Sequence, residues 1–209
     1  MKAPKPKSTY EAVPAGTHVA RLYSILNLGT SSFEFKGEMK TSTKIRLTFE
    51  LPGEMREFGE DKELKPMAIS REFGFSMGKK SHLRPFVEGM LGVALHDEEA
   101  YAFDIEDLLG RSCLLSVSHT EKDGNVYSNV NSASPLMKGM TAPEGFNPTS
   151  VLDVNTATAE QIDALPGFLR DKMKGSDEYK ARFADGGENG PAEVADIPAV
   201  DNPFAGDFK

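Results

Sequence analysis

The chain has 209 residues, 39% of them hydrophobic, a net charge of −8 and a single cysteine. That length can bury a core with an appendage, one cysteine excludes an internal disulfide, and no apolar run is long enough to cross a bilayer as a helix. A soluble, intracellular protein of a reducing cytoplasm is expected. The charge is unevenly spread. Through Met140, 18 Lys and Arg face 19 Asp and Glu, a net of −1; the remainder carries 6 against 13, a net of −7. Acidity therefore belongs to the C-terminal part, and a nearly neutral body can still carry a basic face.

Residues 1–14, MKAPKPKSTYEAVP, are rich in Lys and Pro without a period and predict a disordered basic arm. A first strand over 17–28 is apolar on both sides, which suits a long strand that bends at a bulge. Its alternation puts Val19, Arg21 and Tyr23 on one face and Ala20 and Leu22 on the other. Residues 29–40, GTSSFEFKGEMK, read as a loop holding Phe33 and Phe35 beside Lys36 and Lys40, either folded back on the core or free to bind. The second strand, 44–51, is the cleanest. Ile45, Leu47, Phe49 and Leu51 point inward, and Lys44, Arg46, Thr48 and Glu50 point outward. The charged residues 53–65 read as an exposed loop.

A third strand alternates Ile69, Phe73 and Phe75 with Ser70, Glu72 and Gly74. Gly78 breaks it, and Ser81 can cap a helix in which Leu83, Val87, Met90 and Leu91 recur at helical spacing, with Pro85 tolerated in the first turn. Lys79, Lys80 and Arg84 crowd that helix start, where cations oppose the helix dipole. A compensating anion is expected there, either phosphate or a nearby carboxylate. An acidic stretch, HDEEAYAFDIEDLLG, ends in a short helical turn closed by Gly110. Strands over 111–120 and 126–132 flank Asp123-Gly124, a strong hairpin signal, with Lys122 and Tyr127 beside it. Tyr127 could equally be a plain edge residue. Cys113, inside an apolar strand run, reads as a buried spacer rather than a reactive thiol.

The order strand, strand, strand, helix, strand, strand over 15–140 is that of an OB-fold, a partly open five-stranded barrel that binds oligonucleotides across one face. In that fold the first–second and fourth–fifth loops contact the ligand, as does the outer face of the second strand. Phosphate contacts would then fall to Arg21, Lys36, Lys44, Arg46, Lys79, Lys80 and Lys122, and base stacking to Tyr23, Phe33, Phe35 and Tyr127.

Beyond Met140 the chain changes character. TAPEGFNPTS reads as a linker, 156–183 as short helices, and 184–209 as an acidic disordered tail without a basic residue from Ala184 to Phe208. VNTATAEQIDALPGF resembles the first half of a helix-hairpin-helix phosphate grip, but Leu169 stands where the second glycine belongs. A helical hairpin packed on the barrel or on a partner is the simpler reading. Nothing in the sequence points to an enzyme, a metal or a cofactor. There is no phosphate-cradling glycine loop and no G-x-S-x-G, and His18, His82, His96 and His119 lack ligand spacing with Cys113. The run His96-Asp-Glu-Glu could hold a cation, although such acidic loops are usually only solvated.

Near the end, Asp196-Ile197-Pro198 and Asp201-Asn202-Pro203-Phe204 resemble the acidic tip of bacterial single-stranded-DNA-binding proteins, and Gly206-Asp207-Phe208 is similar to the tails of phage counterparts. With the helix start at Ser81-His82-Leu83-Arg84 and the stretch LLGRSCLLSV, the chain resembles phage-encoded OB-fold single-stranded-DNA-binding proteins. The resemblance implies a non-catalytic protein that coats single strands during replication or recombination in the cytoplasm of an infected bacterium. It also implies that Asp201, Pro203, Phe204, Asp207 and Phe208 dock replication or recombination proteins. The main alternative is an OB-type protein-interaction module, a recombination accessory or virion component, that does not touch DNA.

Overall fold

The computed structural model describes residues 11–59 and 62–183. The tail residues Asp201, Pro203, Phe204, Asp207 and Phe208 and the first ten residues of the N-terminal arm lie outside the described residues.

The protein is mainly β. Five antiparallel strands run in the order β3-β2-β1-β4-β5: β1 (Gly16–Phe35), β2 (Glu38–Phe58), β3 (Glu63–Gly74), β4 (Ser112–Lys122) and β5 (Asn125–Ser134). A sixth, β6 (Ser150–Asp153), pairs in parallel with β1 over Ser24 to Asn27. Between β3 and β4 lie α1 (Leu83–Leu91), α2 (Asp97–Ala102) and a 3-10 turn, Ile105–Leu108. After β6 come α3 (Ala159–Asp163), α4 (Gly167–Lys174) and α5 (Asp177–Phe183).

The period-two pattern of β2 sends Ile45, Leu47, Phe49 and Leu51 into the main core, none more than 1% exposed. Ala20, Leu22, Cys113 and Leu115 meet them from β1 and β4. The helix covers this core with Leu83, Phe86, Val87 and Met90; the Phe86 ring lies 4.9 Å from that of Phe73 and 6.1 Å from that of Phe49. Ser81 Oγ accepts the Arg84 N–H at 3.3 Å, the expected capping contact. Gly89 lets α1 lie close on β5, since a Cβ there would strike the Ala133 carbonyl. At the far edge, Arg71 on β3 donates to the Asn131 carbonyl on β5 at 2.6 Å.

The expected bulge is present. The β1–β2 register shifts between Leu22 and Ser24 and again between Asn27 and Gly29. Before the first shift, β1 feeds Ala20 and Leu22 to the main core. After it, Ile25 still faces that core, while Leu26 and Leu28 face a second one built with Val154, Ala157, Ile162, Leu165, Leu169 and Met173. Residues 152–179 are thus bound to the sheet by their own apolar cluster, as the packed-hairpin reading of 154–168 expects. Leu169 is 1% exposed within it, which explains a leucine where a phosphate grip would need glycine.

Three expectations are corrected. Residues 29–40 are not a loop: the β1–β2 ladder continues to Phe35 opposite Glu38 and closes through Lys36-Gly37, both at positive φ (53° and 80°) as a two-residue hairpin turn requires. Residues 53–65 are likewise largely ribbon, with Phe58 opposite Glu63. Both ribbons extend past the core and lack a buried face, so apart from Phe33-Glu34-Phe35 their sequences carry little apolar alternation. Finally, the basic arm is not free over 11–14. Val13 is fully buried, and its carbonyl accepts from His119 Nε2 at 2.7 Å and Ser128 Oγ at 2.8 Å.

Candidate functional site

The outer face of β2 divides into a covered half and an open half. In the covered half, Thr48 and Glu50 are buried although alternation points them outward. Glu50 Oε1 accepts from Arg21 Nη1 at 2.5 Å and from Phe146 N at 3.1 Å; Oε2 accepts from Asn147 N at 2.8 Å and Asn147 Nδ2 at 2.6 Å. The carboxylate therefore clamps the segment after Met140 onto the sheet. Tyr23 is 3% exposed beneath it, and burial, reinforced by Glu50 and opposed by Arg46, pushes its phenol up to about 12. Two of the named binding candidates, Arg21 and Tyr23, are thus turned inward, one to hold a carboxylate and the other without an open ring face.

Arg46 stands at the boundary. Its Nη1 donates to Glu72 Oε1 at 3.0 Å, and its guanidinium lies 5.3 Å from the ring centre of Phe168 on α4. Lys172 Nζ, also on α4, binds both Glu72 oxygens at 2.7 and 2.9 Å. Burial alone would raise the Glu72 carboxyl, but the hydrogen bond and charge of Lys172, then those of Arg46, hold it below the usual range.

The open half continues toward the hairpin turn. Direct cross-strand partners project to one face, and the register pairs Gly29 with Lys44, Ser31 with Ser42, Phe33 with Lys40 and Phe35 with Glu38. Phe33, Phe35, Lys40 and Lys44 therefore share the face that carries Arg46. Phe33 is 43% and Phe35 48% exposed, and Lys44 is exposed as well. The Lys40 ammonium lies 4.9 Å and the Lys36 ammonium 5.4 Å from the Phe35 ring centre. From Arg46 to Lys40 the strand rises roughly 20 Å at about 3.4 Å per residue. The face also holds Glu38, 3.8 Å from the Lys40 ammonium, so it is a row of cations with one carboxylate beside exposed rings, suited chemically to a polyanion with flat groups.

Where α4 meets the ribbon, a cleft of about 300 Å³ is lined by Leu28, Gly29, Ser31, Lys44, Asp171, Lys172 and Gly175. Gly74, the register partner of Lys44, lines a second cleft with Ser76, Gly78, Lys80, Ser81 and His82. Lys44 thus lines the first cleft and stands opposite a residue of the second, which Lys80 lines. The anion expected at the α1 start is supplied by the protein. Arg84 donates to Glu88 Oε1 at 3.0 Å and to Asp97 Oδ1 at 2.9 Å, and Lys79 pairs with Asp97 at 2.8 Å. Hydrogen bonds from Lys79 and Arg84 hold Asp97 below the usual carboxylate range. Lys122 and Tyr127 lie on the β4–β5 hairpin, whose Asp123-Gly124 turn has both φ positive; both side chains are exposed.

Sequence reasoning left out Phe168, which is 46% exposed beside Arg46. No sequence pattern marks it, because a single exposed aromatic is ordinary on a protein surface and its nearness to Arg46 exists only in the fold. Among the described residues no cluster of His, Cys, Asp and Glu is arranged to hold a metal, and no helix is long and apolar enough to cross a membrane. A scan against models of known protein families finds no match to this chain, and no curated protein matches it.

Proposed function

We propose that this chain binds single-stranded DNA without strong sequence preference and without catalysis, on an OB-type barrel, during replication or recombination of phage DNA. The observation that carries the proposal is the shared exposed face of Phe33, Phe35, Lys40 and Lys44. Stacking on rings suits every base, and cations follow the backbone irrespective of sequence. The strand order β3-β2-β1-β4-β5, the helix between β3 and β4, and the reach of Arg71 from β3 to β5 support the barrel reading. Because Phe146 and Asn147 cover Glu50 and α4 borders Arg46, the strand path is displaced from the middle of β2 toward the β1–β2 ribbon.

That same cover favours one rival, a protein-interaction module whose ligand face is already occupied. Titrating a labelled dT oligonucleotide and a duplex of equal length at two salt concentrations separates the two. Preferential binding of the single strand, weakening with salt at a slope of about −0.7 per neutralised phosphate, is the expected result. No binding to either at low salt leaves the interaction module.

A further inference from the structure

We infer that α4 forms the second wall of the single-strand site, with Phe168 as a base-stacking residue; the inference rests on the proposed function. The first observation is position. Arg46 and Lys44 lie on the β2 face that carries Phe33 and Phe35, and α4 borders that face through Phe168 beside Arg46 and Lys172 on Glu72. A strand leaving Phe35 along Lys40 and Lys44 therefore reaches the cleft lined by Lys44, Asp171, Lys172 and Gly175, and Phe168 stands on the same helix as Asp171 and Lys172.

The second observation is how Phe168 is held. The next residue, Leu169, is anchored in the second core, and α4 is fixed at its start by Leu169 and Arg170 N–H groups donating to the Pro166 carbonyl at 2.9 and 3.0 Å. The exposed ring is thus mounted on a rigid element, with Arg46 on it and 46% of the residue open to solvent. Rigid mounting lowers the ordering cost of stacking, and a neighbouring guanidinium adds charge where the next phosphate passes.

The chain contains no tryptophan, so Phe168→Trp introduces a single indole reporter. On titration of the full chain with dT oligonucleotide, that indole should be quenched in step with binding measured by anisotropy. Phe168→Ala should weaken binding about tenfold, one stacked base, while leaving the salt slope and the melting temperature unchanged. An indole that does not respond at saturation, together with a Phe168→Ala variant of wild-type affinity, would overturn the inference while Phe33→Ala still weakens binding and upholds the ribbon site. Absence of binding by the wild-type chain overturns both.

Discussion

Arg21 and Glu50 face each other across β1 and β2, and their 2.5 Å ion pair ties these strands to the segment that covers them. Glu50 is fully buried, and each of its oxygens accepts two hydrogen bonds, three of the four from Phe146 and Asn147. A charge so enclosed is tolerated because every lone-pair direction is used.

Glu50→Ala should accordingly destabilise the fold by about 3–5 kcal/mol, because Arg21 is left in a largely closed site without its counter-ion. Urea denaturation measures this. Limited proteolysis of the same variant should cut first between Met140 and Ser150, where the clamp is lost. A loss below about 1 kcal/mol would mean that the pair is no more than a surface contact.

Leu169→Gly restores the glycine of a helix-hairpin-helix pattern, and it should make matters worse. Removing a leucine that is 1% exposed costs about 2–5 kcal/mol in the second core, with a further helix-propensity loss. No gain in DNA affinity should accompany it.

Acid should loosen α4. The Glu72 carboxyl is depressed in the folded chain, so the unfolded chain binds that proton more readily. Its contribution is fully present above the unfolded value of about 4.3 and disappears as pH falls through the folded value. Lys172→Met removes the main partner. Comparing melting temperatures at pH 7 and about pH 3.5 should show a smaller acid loss in that variant than in wild type. Lys172 is about half exposed, so the difference should also shrink in high salt.

Two buried groups should be silent until the fold opens. Burial pushes both the Tyr23 phenol and the Cys113 thiol up to about 12. For each, the neutral form is favoured in the folded state, so stability is retained below the unfolded value and lost as pH rises through about 12. One of the five tyrosines should ionise late in an ultraviolet titration, and a thiol reagent should label Cys113 only in denaturant.

Much of the body was legible because its signals are local. The alternation of Ile45, Leu47, Phe49 and Leu51, the helical spacing of Leu83, Val87 and Met90, and the Asp123-Gly124 turn all hold as expected. The covered face was not legible. Alternation states that Thr48 and Glu50 leave the main core, but it cannot state that Phe146 and Asn147 will close over Glu50, roughly 100 residues along the chain. The ribbon was hidden for the opposite reason. Strands wet on both faces spell only a short pattern, here Phe33-Glu34-Phe35, and a lysine at positive φ before Gly37 is an uncommon turn residue. Placing Phe33 and Phe35 with Lys40 therefore needed the register, although their unusual composition had marked the segment.

The most direct test of the account is anisotropy of a labelled dT oligonucleotide, at two salt concentrations, with wild type and two double variants. Phe33→Ala with Phe35→Ala should weaken binding by about 2–6 kcal/mol, two stacked bases, and leave the salt slope intact. Lys40→Gln with Lys44→Gln should weaken binding mainly at low salt and flatten the slope by about 1.4, two phosphates. Neither pair is buried, so both should melt like wild type. Wild-type affinity in both variants, with the single strand still bound, would contradict a site on the β1–β2 ribbon.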